Sequence, residues 1–368
     1  MSQPKRLAVL VASLAIGGIG KMRVHLINEF AQRGLAVDLL AARTDSPYMA
    51  SLSPAVRVID IRTSHSLYAV PRLAWYLRRQ RPDALLAERI RVNVAALRSR
   101  WMARTGTPIF ATLNTQLSHQ LDSLKPAKKQ KHLRLMRRYY PLNDGLIAIS
   151  QGVADDASAL LDYPRERIAI IANPVVTARL HEQARAPLDH PWLQPGQPPL
   201  VLGVGRLEPQ KDFPTLLRAF ALFRQRRDSR LLILGDGKLG PALKSLATEL
   251  GIQDAVDMPG FVDNPYAYMA RASLFVSSSA WEGSGNALTE ALAVGTPVVS
   301  TDCPSGPREI LQDGRYGPLV PVGDAPALAQ AMLETLERAP SADWLRGAAA
   351  RFTVEASAEH YLARMGLA

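Results

Sequence analysis

The chain has 368 residues, of which 47% are hydrophobic and 21% charged, which is ordinary for a globular protein with two domains. Its formal net charge of +11 predicts an acidic partner, namely a phosphorylated ligand, an anionic membrane surface or a nucleic acid. The single cysteine, Cys303, excludes an internal disulfide and favours a reducing compartment.

The first 40 residues permit two interpretations. Lys5 and Arg6, followed by the apolar stretch 7–16, would suit a secretory signal peptide. The alternative is a buried strand over 7–11, a glycine turn, a helix over 20–33 and a second strand over 36–40. We favour the strand, because cleavage would destroy this β-α-β unit. No apolar run in the sequence approaches the roughly 20 residues that a membrane-spanning helix needs.

Strands and helices alternate along the whole chain, which is the pattern of parallel α/β sheets. The first half predicts strands near 7–11, 36–40, 56–59, 83–86, 108–111, 146–149 and 168–171, and helices near 20–33, 67–80, 91–104, 127–139 and 152–161. The second half predicts strands near 200–204, 231–234, 274–277 and 297–300, and helices near 212–227, 240–250, 287–294 and 353–365.

A proline-rich segment separates the two halves. Residues 186–199 contain five prolines and cannot continue a helix or a strand, so they predict a linker. The predicted division is an N-terminal domain over 1–185, the linker over 186–199 and a C-terminal domain over 200–352. The last helix, within 353–368, follows after the second domain is complete.

The loop after the strand 200–204 carries Gly205, Arg206 and Lys211. In an open α/β sheet, ligands bind outside the carboxyl ends of the strands, where this loop lies. An arginine fork and a lysine charge together would neutralise a diphosphate. The alternative is two surface cations beside a helix start, although a cation is slightly unfavourable there.

Two glutamates, Glu282 and Glu290, flank a loop that becomes a helix at Ala287. The loop glycines let the backbone approach a ligand, and the helix N-terminus offers N–H groups to a phosphate. Acidic acceptors at such a site would bind sugar or ribose hydroxyls. The alternative is an ordinary acidic helix start and a solvated glutamate.

A second glycine turn, Gly17-Gly18 with Gly20 and Lys21, follows the first strand. It fits neither the P-loop nor the dinucleotide-binding pattern, and it is either an anion-binding turn or merely a tight one. The sequence contains no Asp-x-Asp, no cysteine pair and no His-Glu-x-x-His. We therefore expect no metal site and no cofactor.

Basic residues interleave with aromatic and aliphatic residues between positions 98 and 140. The cations are Arg98, Arg100, Arg104, Lys125, Lys128, Lys129, Lys131, Arg134, Arg137 and Arg138. Their apolar neighbours are Trp101, Leu133, Leu135, Met136, Tyr139 and Tyr140. This pattern suits an anionic membrane surface; a plain solvated face is the alternative, and no motif supports nucleic acid as the partner.

Three motifs of the second half occur in a recognisable order. They are Gly205-Arg206-Leu207 with Gln210-Lys211-Asp212, then Gly235-Asp236-Gly237 leading to Phe261-Val262, and then 282–299. Together these motifs, spanning about residues 200–325, resemble the retaining glycosyltransferases of family four, also called group 1. The first half is similar more loosely, through Gly17-Gly18, Arg33-Gly34 and Ser150-Gln-Gly-Val153.

The resemblance implies an α/β protein of the GT-B class, in which two Rossmann-like domains face a central cleft and the last helix crosses back to the first. Arg206 and Lys211 would bind the donor diphosphate and stabilise the departing nucleotide. Glu282 would contact the donor sugar and help to position its anomeric carbon, and Glu290 would hold the ribose. The implied donor-binding residues are Gly17, Gly18, Gly205, Phe261, Val262, Gly285, Asn286, Ala287 and Glu290.

One position departs from the family pattern. Many relatives carry a histidine where this chain has Leu113, and His119 is a candidate replacement. Asn114 and His119 therefore remain candidate contacts to acceptor or donor, and any catalytic help from the first domain stays open.

The function that the resemblance implies is metal-independent, retaining sugar transfer from a nucleotide diphosphate, most simply a UDP-sugar. Front-face attack with the leaving phosphate as base needs no protein nucleophile. The acceptor would be a lipid-linked or cell-envelope saccharide, and the protein would be cytoplasmic, resting on the inner face of the membrane.

Two alternatives remain. A nucleotide-sugar epimerase of the same fold would need a carboxylate and a histidine poised for proton abstraction, and no convincing pair is present. A non-catalytic sugar-nucleotide-binding subunit would be expected to lack Glu282, Glu290 or Lys211, yet all three are present.

Overall fold

The chain divides into two compact α/β units. The structure, a computed structural model, describes residues 4–14, 17–62 and 66–368. The first unit comprises Met1–Pro174 together with Val354–Ala368, and the second comprises Val175–Thr353. Each unit is built on one parallel sheet with helices on both faces.

The first unit contains a seven-stranded parallel sheet in the order β3-β2-β1-β4-β5-β6-β7. Its strands are β1 (Arg6–Val11), β2 (Ala36–Ala41), β3 (Arg57–Asp60), β4 (Ala84–Glu88), β5 (Ile109–Leu113), β6 (Gly145–Ala148) and β7 (Ile168–Ile170). Its helices up to this point are α1 (Gly18–Gln32), α2 (Ser66–Gln80), α3 (Ile90–Ala103), α4 (Leu117–Asp122), α5 (Pro126–Tyr139) and α6 (Gln151–Leu161).

The second unit contains a six-stranded parallel sheet in the order β10-β9-β8-β11-β12-β13. Its strands are β8 (Leu200–Val204), β9 (Arg230–Leu234), β10 (Val256–Gly260), β11 (Leu274–Ser277), β12 (Val298–Thr301) and β13 (Leu319–Val320). Its helices are α7 (Ala178–Arg185), α8 (Phe213–Arg226), α9 (Gly240–Glu249), α10 (Pro265–Met269), α11 (Asn286–Val294), α12 (Pro307–Ile310), α13 (Ala325–Glu337) and α14 (Ala342–Ala349).

The central strands are apolar along their whole length because helices cover both faces of a parallel sheet. In β1, every residue from Leu7 to Val11 is buried, and this strand lies between β2 and β4. The interpretation of 7–11 as a strand is therefore confirmed. Helix α1 covers this sheet with Val24, Ile27 and Phe30.

The last helix, α15 (Val354–Met365), belongs to the first unit, as the resemblance implied. Its Tyr361 ring meets the edge of Phe30 on α1, with 6.3 Å between the ring centroids. Ser357 Oγ donates a hydrogen bond to the carbonyl of Ala172 at 2.8 Å. The apolar face of α1 is thus completed by a segment from the far end of the sequence.

The boundary between the units differs from the predicted one. The first unit ends at Pro174 rather than at 185, and residues 175–199 belong to the second unit. Helix α7 packs on α10, where Asn264 Nδ2 donates to the carbonyl of Gln183 at 2.8 Å. Arg271 donates to the carbonyls of Ala184 and Ala186. The proline segment 186–199 therefore packs against the second unit instead of connecting the two units.

Sequence periodicity missed several short elements and two of the later helices. The missed elements are α4, α7, α10, α12, α13, α14, β10 and β13. Among residues 4–14, 17–62 and 66–368, no helix combines the length and the apolar character that spanning a membrane requires.

Each sheet reverses its strand order at one place. The first sheet reverses between β1 and β4, and the second between β8 and β11. In open parallel sheets, ligands bind at the carboxyl ends of the strands at such a reversal. The loops after these four strands are therefore where binding sites are expected.

Candidate active site

The loop after β8 turns sharply to position Lys211. Pro209–Lys211 form one 3-10 turn, and Asp212 has a φ of 43°, a left-handed conformation, before α8 begins. A Cβ on Gly205 would lie 3.0 Å from the Lys211 side chain, so glycine leaves room for the lysine. Asp212 occupies the N-cap position as expected, but its carboxylate accepts from Thr215 Oγ1 at 2.6 Å rather than from a backbone N–H.

Lys211 and Glu282 form an ion pair at the strand-order reversal of the second sheet. Lys211 Nζ lies 2.5 Å from Glu282 Oε1, and only 19% and 7% of the two side chains are exposed. Ser279 Oγ donates to the same oxygen at 2.7 Å, and Gln210 Nε2 lies 3.4 Å from Oε2. The structure thus brings two predicted site residues into direct contact.

Further hydrogen bonds tie the loop after β8 to the loop after β11. The Ala280 N–H donates to the carbonyl of Gln210 at 2.8 Å, and Ser278 Oγ donates to the carbonyl of Lys211 at 2.8 Å. Gln210 Nε2 donates to the carbonyl of Trp281 at 3.1 Å. This network orients the ion pair before any ligand arrives, which a precise binding site requires.

Arg206 lies in the same loop with 68% of its side chain exposed. Its Nη1 contacts Glu208 Oε2 at 2.9 Å. Exposed ion pairs of this kind contribute little to stability because water competes with them. The guanidinium can therefore exchange Glu208 for an anionic ligand at small cost.

Helix α11 begins at Asn286, one residue before the predicted start at Ala287. Gly285 precedes it with a φ of 86°, which favours glycine. A Cβ on Gly306 would collide with the carbonyl of Ser284, so a second glycine allows this loop to pack closely. The described first turn of α11 contains no acidic residue, and its positive dipole end suits an anion.

Glu290 lies half-buried on α11, one helical turn after Asn286. The buried Tyr266 on α10 donates a hydrogen bond from its hydroxyl to Glu290 Oε1 at 3.0 Å. This contact holds the carboxylate in one orientation. Glu290 thus lies in the helix that starts beside the Lys211–Glu282 loops.

Phe261 and Val262 follow β10, at the carboxyl edge of the same sheet. Phe261 exposes 69% of its surface, and its N–H donates to Asp236 Oδ2 at 3.3 Å. Gly260, with a φ of 93°, makes the turn that precedes it. An exposed aromatic ring on an anchored backbone offers a flat apolar surface to a ligand.

Cys303 is buried beside this cluster. Burial raises the pKa of its thiol to about 12, and the negative charge of Glu282 adds to the shift. The thiolate is the reactive form of cysteine, so this side chain is inert at neutral pH.

The first unit holds a buried polar cluster that the sequence analysis missed. Arg23 Nη2 lies 2.8 Å from Glu88 Oε2 and 3.1 Å from Thr112 Oγ1, and both charged side chains are about 5% exposed. Burial alone would lower the pKa of Arg23, but Glu88 outweighs it and the pKa is raised. Arg23 lies among apolar neighbours on α1, so no local pattern signals its partner 65 residues away.

Asn114 belongs to this cluster, whereas His119 does not line the neighbouring pocket. Asn114 Nδ2 donates to Glu88 Oε2 at 3.2 Å. Leu113 and Asn114 line a pocket of about 190 Å³, and the described residues around that pocket do not include His119. His119 lies exposed on α4. The geometry thus favours Asn114 over His119 as a candidate contact.

The turn at Gly17 and Gly18 lies at the carboxyl end of β1. Gly17 has a φ of 126° and immediately precedes α1. A Cβ on Gly17 would meet no described atom within 4 Å, so its surroundings are open. Within residues 4–14, 17–62 and 66–368, no group of three or more His, Cys, Asp or Glu side chains is placed to hold a metal ion.

Two family models match the chain. The model described as "Glycosyl transferases group 1" matches residues 198–338, and the model described as "Glycosyltransferase Family 4" matches residues 16–179. The lipopolysaccharide core biosynthesis glycosyltransferase LpsE of Rhizobium meliloti is 30% identical over 334 residues, covering 86% of this chain and 84% of LpsE.

A second relative matches only part of its own length. The N-acetylgalactosamine-N,N'-diacetylbacillosaminyl-diphospho-undecaprenol 4-alpha-N-acetylgalactosaminyltransferase of Campylobacter jejuni is 34% identical over 203 residues, 55% of this chain and 53% of that protein. Among solved structures, Anabaena HepE in complex with UDP is 20% identical, with a TM-score of 0.78 over 98% of this chain and 99% of that chain.

These likenesses and the two sheets define a GT-B fold. The chain belongs to the group 1 glycosyltransferases, family four, and it is therefore a sugar-transferring enzyme.

Proposed function

We propose that this enzyme transfers a sugar from a uridine diphosphate donor to a lipid-linked or cell-envelope saccharide, retaining the anomeric configuration and using no metal. The observation that carries the proposal is the Lys211–Glu282 ion pair at the strand-order reversal of the second sheet. A cation, a carboxylate and a helix N-terminus in adjoining loops match the parts of a sugar diphosphate.

The positive groups would stabilise the departing diphosphate. A lysine ammonium has three donors, and Glu282 takes one, so Lys211 can hold its orientation and still donate to phosphate oxygens. Arg206 contributes a fork-shaped donor that is loosely held by Glu208. The N-terminus of α11 adds the end of a helix dipole.

The carboxylates would bind hydroxyl groups. Among the residues that the structure describes, Oε2 of Glu282 accepts a single long contact, from Gln210, so it can also accept from a donor-sugar hydroxyl. Glu290, oriented by Tyr266, would accept from the ribose. The exposed ring and backbone at Phe261 and Val262 would contact the base.

Transfer with retention, which the resemblance to the family implies, is compatible with this division of roles. The bond from the anomeric carbon to the phosphate oxygen breaks as the acceptor hydroxyl forms a bond on the same face. The hydroxyl proton passes to an oxygen of the leaving diphosphate, and the electron pair of the broken bond stays on that diphosphate. Protein cations stabilise the developing charge, and no covalent intermediate with the enzyme is needed.

Uridine as the base and a lipid-linked or envelope glycan as the acceptor rest on the relatives. HepE was solved with UDP, LpsE is named for lipopolysaccharide core biosynthesis, and the Campylobacter relative is named for a diphospho-undecaprenol acceptor. Taken together, these names support a uridine diphosphate donor and an acceptor that is a lipid-linked or envelope glycan.

A panel of nucleotide sugars tests the proposal. We expect UDP to raise the melting temperature, and a crystal soaked with UDP to place its diphosphate against Arg206 and Lys211. A diphosphate bound elsewhere, or no binding of any nucleoside diphosphate, would overturn the assignment. Conversion of the donor to its epimer without any acceptor would instead identify the epimerase alternative.

We further propose that the first unit rests on an anionic membrane. Trp101 is 83% exposed, and with Met102 and Leu142 it lines a groove of about 660 Å³ that also contains Arg100 and Arg104. Aromatic side chains beside cations suit a phospholipid surface. Two residues that the sequence assigned to this surface do not belong to it, because Met136 and Tyr140 are buried in the core.

Vesicle flotation distinguishes this surface from a nucleic-acid site. We expect binding to phosphatidylglycerol vesicles that falls with salt, falls about tenfold in Trp101→Ser, and is unchanged in the control Leu222→Ser, another exposed apolar residue. Binding to RNA instead of vesicles would contradict the membrane proposal.

A further inference from the structure

A pocket of about 460 Å³ lies at the strand-order reversal of the first sheet. It is bounded by Val11 at the end of β1, Ala42 after β2, Ile61 after β3 and Arg89 after β4. This is where an open parallel sheet binds ligands, and the volume lies within the range of small-molecule sites. None of the residues assigned above to sugar-nucleotide binding lines it.

The lining of the pocket is mostly apolar. Besides the strand ends, α2 contributes Ala69 and Leu73, α3 contributes Val92 and Ala95, and Leu124 follows α4. Such a surface binds hydrocarbon. The uncharged polar side chains of the described lining are Gln120 and Ser123, which are few for a sugar that needs many hydrogen-bond partners. The lining therefore selects for a chain of methylene or isoprenoid units.

Cations gather on the helix side of the same pocket. Arg89 and Arg91 line it, and so does His132 of α5. The Nδ1 atom of His132 is buried and has no hydrogen-bond partner among residues 4–14, 17–62 and 66–368. Burial lowers the pKa of His132, and Arg91, Lys128 and Lys131 lower it further, because positive charges converge here. An anion at this place would relieve that repulsion and supply a partner for the ring.

The backbone at Arg89 is strained in a way that maintains this arrangement. Arg89 has φ 66° and ψ 148°, a region that non-glycine residues rarely adopt, directly before α3. Such strain is retained where the surrounding structure imposes it, and it concentrates at ligand sites. Here it places an arginine at the reversal between β1 and β4.

We propose that this pocket binds the hydrocarbon chain of a lipid phosphate, with the phosphate against Arg91 and His132. The identity of that lipid as the carrier of the sugar acceptor rests on the proposed function, whereas the affinity for the amphiphile does not. Isoprenoid and straight-chain lipids share the required chemistry, a long apolar chain that ends in a phosphate.

A chain-length series on the intact protein tests the proposal by calorimetry, below the micelle concentration of each compound. We expect alkyl phosphates to bind about fourfold more tightly for each added methylene until the pocket is full, the value that burial of one methylene predicts. Inorganic phosphate should bind weakly, and the matching alcohols about tenfold more weakly than the phosphates. Comparing the affinities for farnesyl phosphate and dodecyl phosphate shows whether the pocket prefers an isoprenoid or a straight chain.

Two variants separate the contribution of the chain from that of the phosphate. Leu124 is partly buried and Arg91 is exposed, so neither replacement removes a fully buried side chain. Leu124→Asp places a charge in the pocket and should abolish the dependence of affinity on chain length. Arg91→Ala should weaken the binding of alkyl phosphates and leave the binding of the alcohols unchanged. Leu222→Asp and Arg338→Ala are matched exposed controls on α8 and after α13, and both should bind the series normally.

Affinity that is independent of chain length, or unchanged in Leu124→Asp, would overturn the pocket assignment. UDP binding is measured on the same samples. Normal binding of alkyl phosphates without UDP binding would reject the donor site and retain this pocket, and the reverse result would reject this pocket alone.

Discussion

The Nζ atom of Lys211 lies 2.5 Å from Oε1 of Glu282, although the two residues are 71 positions apart in the chain. The contact joins the loop after β8 to the loop after β11 and places a buried negative charge beside the proposed diphosphate site. Each residue therefore contributes to stability, through the ion pair, and to catalysis, through its proposed contact with the substrate.

Replacing Lys211 with alanine should reduce kcat by about 10²–10³-fold, because a donor to the developing charge is lost. The same change leaves Glu282 without its cation and should lower the free energy of unfolding by about 3 kcal/mol. Kinetics on a donor–acceptor pair and urea unfolding measure the two effects.

The double variant Lys211→Ala/Glu282→Gln separates stability from catalysis. It should recover most of the lost stability, since no buried charge is left unpaired, and remain inactive. Lys244→Ala, on the exposed face of α9, is the control and should resemble the wild type. A double variant that regains turnover would show that Lys211 acts only through folding.

Glu290→Ala should weaken UDP binding about 10- to 100-fold, the amount expected when a hydrogen bond to a charged group is lost. The decisive comparison uses 2′-deoxy-UDP and 3′-deoxy-UDP. The wild type should discriminate against at least one of them, and Glu290→Ala should not.

Tyr266→Phe removes only the hydroxyl that orients Glu290 and should give an intermediate loss of UDP affinity. If the ratio of the affinities for UDP and for the deoxy nucleotides is the same in the wild type and in Glu290→Ala, the ribose does not bind at Glu290.

Turnover should be insensitive to chelators. In the proposed mechanism Lys211, Arg206 and the N-terminus of α11 carry the positive charge that a divalent ion supplies in other enzymes. Initial rates in excess EDTA should therefore equal those with added Mg²⁺ or Mn²⁺. A rate that vanishes with EDTA and returns with one of these ions would refute the metal-independent mechanism.

Asp38 should stabilise the first unit in a pH-dependent way. Arg57 Nη2 lies 2.6 Å from its carboxylate and the Tyr76 hydroxyl donates to it at 2.6 Å. Burial alone would raise the pKa of Asp38, but the bonds from Arg57 and Tyr76 outweigh it, so the pKa is lowered. A lowered carboxyl pKa contributes stability above the unfolded value, near 3.9, and loses it as pH falls through the folded value.

Asp38→Asn should therefore cost about 3 kcal/mol of unfolding free energy at pH 7, with a difference from the wild type that shrinks below about pH 4. Asp60 is an exposed carboxylate at the end of β3. Its replacement Asp60→Asn is the control and should lower the free energy of unfolding by less than Asp38→Asn does. A difference between Asp38→Asn and wild type that is constant from pH 7 to pH 3 would contradict the assigned pKa direction.

Local periodicity was sufficient for the strands of the first sheet and for β8, β9, β11 and β12 of the second, because buried parallel strands are continuous apolar runs. It was insufficient for β13, which has only two residues, and for α7, whose position depends on contacts from Asn264 and Arg271. Prolines at 187–199 indicated correctly that no regular element continues, but they carry no information on which unit they pack against.

The candidate site shows the same limit. The motifs indicated Lys211 and Glu282 separately, and their contact depends on β8 and β11 being neighbours, which is a property of strand order. Arg23 and Glu88 were missed because no local pattern in either segment signals a partner 65 residues away. Neither Leu124 nor His132 belongs to a recognisable motif, and they meet only after α3, α4 and α5 have packed.

Residues 175–353 form one continuous insertion between the two parts of the first unit. A chain leaving the ribosome can therefore complete the second unit before α15 has been synthesised. Until then Phe30 on α1 lacks the cover of Tyr361, so the first unit exposes apolar surface at a stage when the second unit is already complete.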